Sequence, residues 1–245
     1  MAINWFKYSA PYTFYGLTGK LIPWFGWSSA ILFAIGLYIG FFVAPTDAQQ
    51  SEAYRIIFIH VPASIMSMFV YLVMAGYAAL GLIFNTRLSS MMATALAPTG
   101  ALFAFISLWT GALWGKPMWG TWWVWDARLT SELILLFLYL GYIALHASID
   151  DPRRADRASA LLAIIGSVNV PIIYFSVKWW NTLHQGATIK FTGTSMHVAM
   201  QQAMLITFVA CWFYAIAVAL ARVRSIMLER ERNNQWVSDL PEVRS

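Results

Sequence analysis

Six long apolar runs dominate this 245-residue sequence and constrain its fold more than any other feature. Each run is close to the roughly 20 residues that a helix needs to cross about 30 Å of hydrocarbon. Lipid offers backbone groups no hydrogen-bond partner, so only helices or closed barrels span it, and these runs are too long for barrel strands. We therefore predict an all-α membrane bundle in one domain, with six transmembrane helices at about residues 21–44, 56–84, 91–113, 129–147, 158–177 and 203–221.

The composition supports a membrane protein and excludes several other classes. Hydrophobic residues make up 60% of the chain and charged residues 11%, against about 25% charged residues in soluble domains. The net charge of +5 does not indicate a nucleic-acid-binding protein, because the cations lie in short clusters between apolar runs. Cys211 is the single cysteine, which excludes an internal disulfide and covalent haem attachment through a CxxCH motif.

The distribution of Lys and Arg predicts the orientation, since cytoplasmic loops carry an excess of both. Alternating spans place eleven of these residues on one side and five on the other. We therefore predict that both termini are cytoplasmic, that the tail at 222–245 is cytoplasmic, and that about 45–55, 114–128 and 178–200 are periplasmic. The eleven are Lys7, Lys20, Arg87, Arg153, Arg154, Arg157, Arg222, Arg224, Arg230, Arg232 and Arg244; the five are Arg55, Lys116, Arg128, Lys178 and Lys190.

Tryptophans are concentrated near the predicted periplasmic segment at 114–128. Six of the thirteen tryptophans lie between Trp109 and Trp125. An aromatic belt at the membrane interface is the simpler interpretation, but a belt would spread its rings over all helix ends. The concentration in one segment instead favours a flat aromatic surface for a large, planar, amphipathic ligand.

Three histidines fall on the same predicted side. His60 lies near the outer end of the second span, and His184 follows the fifth. Two histidines from separate helix ends can ligate the iron of one haem from opposite faces. An ionisable group inside a span is a functional candidate, although a satisfied interior histidine and a solvated loop histidine are the simpler alternatives. His197, near the start of the sixth span, is a third candidate.

Cations at the same end suit the two propionates of a haem. Arg offers a bidentate fork to a carboxylate, and Arg55, Lys116 and Arg128 are all on the predicted outer side. Ordinary interfacial cations are the alternative, especially for Lys116. We expect Asp126, beside Arg128, to shape the loop.

These motifs together resemble the CcmC family, haem-handling membrane proteins of bacterial cytochrome c maturation. The resemblance covers about residues 20–225. It is strongest in Trp-Gly-Thr-Trp-Trp-Val-Trp-Asp at 119–126, in Ile-His-Val-Pro around His60, and in Val-Lys-Trp-Trp-Asn-Thr-Leu-His-Gln-Gly around His184. The first of these motifs defines a haem-handling superfamily and is a specific signal.

The resemblance implies a multi-pass protein of the bacterial cytoplasmic (inner) membrane. It would bind haem b non-covalently and transiently at the periplasmic face and deliver it to the haem chaperone CcmE. The implied partners are CcmE and an ABC-type complex of CcmA, CcmB and CcmD, and the implied role is handling rather than catalysis, with at most assistance to covalent attachment on the chaperone. The implied axial ligands are His60 and His184, and the implied propionate or partner contacts are Arg55 and Arg128. The implied haem-binding loop residues are Trp114, Trp119, Trp122, Trp123, Trp125 and Asp126.

Three other functions are compatible with parts of the pattern. A membrane b-type haem oxidoreductase is the main alternative, but such proteins usually place paired histidines inside the bundle, and here only His60 is in a span. An oligosaccharyltransferase-like enzyme also carries a Trp-Trp-Asp motif, but Val124 separates Trp123 from Trp125 in this chain. A transporter that moves haem through its own bundle would need a polar path, and the spans carry few charges.

Overall fold

A computed structural model describes residues 8–180, 184, 189–190, 193–194 and 196–240. Six helical segments within these residues are long and apolar enough to cross a membrane, which confirms the predicted fold class. The helices are α1 (Pro11–Tyr38), α2 (Ile57–Phe84), α3 (Arg87–Trp119), α4 (Ala127–Ala147), α5 (Pro152–Gly166), α6 (Asn169–Trp179), α7 (Val198–Arg230) and α8 (Gln235–Ser238). Two short strands, β1 (Ile189–Lys190) and β2 (Gly193–Thr194), pair antiparallel between α6 and α7.

The first two spans extend beyond their predicted apolar segments. α1 begins at Pro11, where a residue without an N–H is tolerated because the first helical N–H groups have no intrahelical acceptor. It continues into a π-helical turn at Ile39–Val43, and a 3₁₀ turn at Glu52–Ile56 leads into α2. The hydrophobic pattern marks the hydrocarbon-facing part of these helices, whereas their hydrogen-bonded turns persist further.

The segment predicted as a periplasmic loop at 114–128 begins as helix, so that part of the prediction is wrong. α3 runs to Trp119 and ends at Gly120, whose φ of 77° is the left-handed conformation in which glycine commonly ends helices. α4 begins directly after Asp126, whose Oδ1 accepts the backbone N–H of Leu129 at 2.8 Å. The loop itself is therefore limited to the residues between two well-defined helix ends.

The fifth span consists of two helices rather than one continuous helix. α5 ends at Gly166 and α6 starts at Asn169. The buried Asn169 side chain donates from Nδ2 to the carbonyl of Ser131 on α4 at 2.8 Å. A polar side chain inside a span thereby has an acceptor on the neighbouring helix, as burial in hydrocarbon requires.

Helices α2, α3, α4, α5, α6 and α7 all contribute buried residues to the central core, while α1 packs along α7. The ring of Tyr139 lies so close to Gly100 that a Cβ there would be 2.0 Å from Cζ. Its hydroxyl donates to the carbonyl of Ser67 at 2.7 Å. Large apolar side chains such as Trp24 and Phe42 are 75% and 78% exposed on the outer surface, as lipid-facing positions would be.

One end of the bundle carries an ion-pair network. Arg230 on α7 donates two hydrogen bonds of 2.8 Å to Asp156 on α5, and His146 on α4 lies 3.1 Å from the same carboxylate. Arg87 at the start of α3 pairs with Glu231 at 3.1 Å. This end collects cations assigned to the cytoplasmic side; Lys7 and Arg244, also assigned there, lie outside the described residues.

Candidate haem site

His60 lies in the first turn of α2, at the end of the bundle opposite this network. Its Nδ1 is 3.0 Å from the Oγ1 of Thr110 on α3. The next residue on α3 is Gly111, and a Cβ there would lie 3.2 Å from His60 Cε1. The imidazole is therefore held between two helices, with one edge against a glycine and one nitrogen against a hydroxyl.

His184 reaches the same region from outside any helix, five residues after the end of α6. Its side chain is 16% exposed, and its Nδ1 lies 3.5 Å from Oδ2 of Asp126. The centroid of its ring is 5.0 Å from that of Trp119, in an edge-to-face arrangement. The predicted loop-shaping role of Asp126 thus has two parts, a helix cap through Oδ1 and a contact with His184 through Oδ2. Residues 181–183, 185 and 186 of the motif around His184 lie outside the described residues.

One cavity joins the two histidines. Its lining includes His60, His184, Arg128, Glu132 and Ser64. The cavity measures about 20 Å³, which is enough for a water molecule but far too small for a porphyrin. The structure thus brings both predicted ligands to one place, in an arrangement that must open before a haem can lie between them.

The electrostatic surroundings keep His184 neutral. Burial lowers its pKa below the ordinary histidine value, the positive charge of Arg128 lowers the pKa further, and the carboxylate of Asp126 opposes both effects. A pKa below the ordinary histidine value favours the neutral imidazole at pH 7.

The two predicted cations differ in how far they are already engaged. Arg55 contacts Glu52 and donates from Nη1 to the carbonyls of Gly40 at 2.6 Å and Ala44 at 3.1 Å. These bonds tie the end of α1 to the start of α2. Arg128 lines the cavity and forms no ion pair with any residue that the structure describes, Asp126 included.

The tryptophans do not form the flat surface that the sequence suggested. Trp114 and Trp119 meet at 81°, and Trp123 and Trp125 meet at 77°, because edge-to-face contacts are preferred over face-to-face stacking. The first pair packs next to His184, since Trp119 contacts both Trp114 and His184. The rings therefore divide into two groups with different neighbours rather than one platform.

The second group lines an apolar groove between α3 and α4. The groove measures about 590 Å³, a volume typical of small-molecule sites. Its lining consists of Phe105, Leu108, Trp109, Trp123, Trp125, Leu133 and Leu136. Leu108 also lines the cavity between the two histidines, so the groove and that cavity share one lining residue. Trp122 instead projects outward, 54% exposed, with Lys116 Nζ 6.0 Å from its ring centroid.

The structure adds residues to the site that the sequence did not predict. Glu132 is only 4% exposed and accepts a 2.8 Å hydrogen bond from Ser67; an acid inside a span was a usable signal. Gln50 accepts a 3.0 Å hydrogen bond from the indole N–H of Trp114, and no sequence pattern indicated it. His197, the third candidate ligand, instead caps α7 through Nδ1, which accepts the N–H of Ala199 at 3.2 Å.

Two substitutions should distinguish the role of Asp126 as a helix cap from its electrostatic effect on His184. Asp126→Asn keeps a good helix-capping side chain but removes the negative charge, whereas Asp126→Ala removes both. We expect the pKa of His184 to fall in both variants, because the group that raises it is gone. We expect the free energy of unfolding to fall only in Asp126→Ala, by about 1 kcal/mol, because only this variant loses the helix cap. Histidine ¹⁵N NMR titration and thermal unfolding in detergent measure the two effects.

Arg128→Gln is the matched control, and it should raise the pKa of His184 because it removes a neighbouring positive charge. A His184 pKa that rises in Asp126→Asn, or that is unchanged in all three variants, would contradict the described electrostatics.

Comparison with known proteins assigns the chain to a family. The family described as Heme exporter protein C matches residues 4–238. Heme exporter protein C of Escherichia coli K12 is 47% identical over 94% of this chain and 93% of its own length, and that of Haemophilus influenzae is 44% identical over 95% of each. A putative cytochrome c biosynthesis ccmC-like mitochondrial protein of Marchantia polymorpha is 45% identical over 80% of this chain and 84% of its own. Together with the six spans, these matches show that the chain belongs to the heme exporter protein C family, as a multi-pass inner-membrane protein of haem handling for cytochrome c maturation.

Proposed function

We propose that this chain binds one haem b at the periplasmic end of the bundle, with His60 and His184 as axial ligands, and delivers it to the haem chaperone CcmE. The observation that carries the proposal is the shared cavity: residues 124 positions apart in the sequence line one small space. Two imidazoles that line the same space are the donor set of a bis-histidine haem. Such a site fills both axial positions of the iron, which suits holding and transfer of haem.

The surroundings of the cavity suit the rest of the haem molecule. Arg128, which has no anionic partner among the described residues, is the better placed of the two cations for a propionate. The apolar groove with Trp123 and Trp125 shares Leu108 with the cavity and offers a surface for the hydrocarbon edge of the macrocycle. Trp119 contacts His184 and Trp114 contacts Trp119, whereas Trp122 is exposed and available to a protein partner. Arg55 would have to leave Glu52 and its carbonyl acceptors to contact a propionate or a partner.

Loading and release require the site to open, because the cavity is only about 20 Å³. His60 belongs to a packed helix, whereas His184 lies outside the helices and touches α4 through Asp126. We propose that His184 moves to admit haem and is later exchanged for a ligand on CcmE. CcmA, CcmB and CcmD are the expected partners in a complex whose ATP hydrolysis comes from outside this chain, since the sequence has no Walker A motif.

The ligand assignment predicts the spectra of single variants. The purified wild-type protein should show a six-coordinate, low-spin haem. His60→Ala and His184→Ala should each lose that spectrum and bind haem about tenfold more weakly or worse, because even supporting residues of a metal site contribute that much. Added imidazole should restore six-coordination by replacing the missing side chain. Optical spectroscopy with haem quantification makes the measurement.

His197→Asn is the matched control, because an outer histidine is removed while the α7 cap is kept. The control should retain the wild-type spectrum. The ligand assignment fails if both alanine variants retain the wild-type haem spectrum, or if two haems bind per chain as in a b-type oxidoreductase.

The proposed orientation predicts which residues a membrane-impermeant maleimide reaches in intact spheroplasts. Gln49→Cys, exposed near the histidine end, should be labelled, and Asp150→Cys, exposed near the ion-pair end, should be protected until lysis. The native Cys211 is buried and contributes little background. Labelling of Asp150→Cys with protection of Gln49→Cys would place the site on the cytoplasmic side.

A further inference from the structure

We propose that Thr110 is a positioning residue for haem binding, which holds His60 in the tautomer that offers Nε2 to the iron. This inference rests on the proposed role of His60 as an axial ligand. It concerns a residue on α3 that lies outside the motif at 119–126 and outside the two histidine motifs. It follows from a short chain of hydrogen bonds across the α2–α3 interface.

The hydroxyl of Thr110 has three polar neighbours that together fix its direction. Its Oγ1 lies 2.6 Å from the carbonyl oxygen of Ile106, one turn back on α3, 3.3 Å from the carbonyl oxygen of Ser107, and 3.0 Å from Nδ1 of His60. A hydroxyl has one proton to donate, and a carbonyl oxygen can only accept. The proton of Thr110 therefore goes to Ile106, in the backbone contact typical of threonine inside a helix. A lone pair of Oγ1 is left facing His60.

This direction determines the tautomer of His60. Because Thr110 accepts, Nδ1 of His60 must carry the proton and donate it. A neutral imidazole has one protonated nitrogen, so the free lone pair is on Nε2. Histidines that bind metals almost always donate their other ring N–H to a fixed acceptor in this way. Thr110 is only 9% exposed, so water competes little for the contact.

Thr110 and its neighbour Gly111 also fix the plane of the ring. A Cβ at position 111 would lie 3.2 Å from His60 Cε1, closer than side chains normally approach. The imidazole therefore lies against bare backbone on one edge and against the hydroxyl at Nδ1. His184 differs, because its Nδ1 faces the carboxylate of Asp126 at 3.5 Å. The two proposed ligands are thus oriented by acceptors of different charge.

The test compares Thr110→Val, which keeps the shape but removes the acceptor, with Thr110→Ser, which keeps the hydroxyl. Thr110→Val should weaken haem binding about tenfold or more. It should also raise the reduction potential of bound haem, because an imidazole that keeps only its backbone hydrogen bond with Ser107 donates less electron density to iron than one that also has the Thr110 acceptor. Thr110→Ser should behave as wild type in both measurements.

Thr207→Val is the matched control. Thr207 is also buried and makes the same kind of bond to the carbonyl one turn back, 2.7 Å to Ala203. It lies on α7, and no histidine in the described part of the chain forms a hydrogen bond with it. Its variant should bind haem as wild type does. Thr110→Val with wild-type affinity and potential would overturn the proposal, and so would Thr110→Ser as impaired as Thr110→Val.

A measurement without haem separates this proposal from the ligand assignment. In haem-free wild-type protein, the ¹⁵N chemical shifts of His60 should show a protonated Nδ1 and an unprotonated Nε2. The opposite tautomer would reject the positioning role of Thr110 even if His60 is a ligand. The expected tautomer combined with a wild-type haem spectrum in His60→Ala would reject the ligand assignment instead.

Discussion

The carboxylate of Asp126 connects the fold of this protein to its site. One oxygen accepts the N–H of Leu129 and starts α4, and the other lies 3.5 Å from His184. The side chain that caps the start of a membrane helix therefore also contacts His184. Since α4 carries Arg128 and Glu132 into the same cavity, a displaced helix start would move the cation, the buried acid and the histidine contact together.

The two ends of the bundle differ in how their polar side chains are paired. At one end, Arg230, Asp156 and His146 satisfy one another and join α4, α5 and α7. At the other end, Arg128 lacks an anionic partner among the described residues, and the histidines face a small shared space. Buried polar groups are normally paired, and the lack of an ion pair at Arg128 is one reason why we propose this end as the binding site for a ligand with carboxylates and a metal.

The sequence predicted the six spans and the common side of the two histidines, because both depend on which segments must be surrounded by lipid. Apolar runs of sufficient length must be helices in lipid, and the number of spans between His60 and His184 sets both on one side of the bilayer. The structure confirms the six spans and brings the two histidines into one cavity. Their closeness could be expected from the motifs but not from hydrophobicity.

The features that the sequence missed depend on contacts between distant segments. Hydrophobicity does not distinguish a loop from the last turns of a helix, so it did not predict that α3 extends to Trp119. Ring angles depend on tertiary neighbours, so the expected flat indole surface is two edge-to-face pairs. Arg55 is held by carbonyls at the end of α1, and Thr110 meets His60 from 50 residues away. Neither contact leaves a periodic signal in the chain.

The most direct test of the account is an electron cryomicroscopy structure of the haem-loaded protein in lipid nanodiscs. The account predicts one macrocycle per chain, with Nε2 of His60 and Nε2 of His184 bonded to its iron from opposite faces, and a propionate at Arg128. Iron bonded to neither histidine, or to His60 together with a residue other than His184, would contradict it.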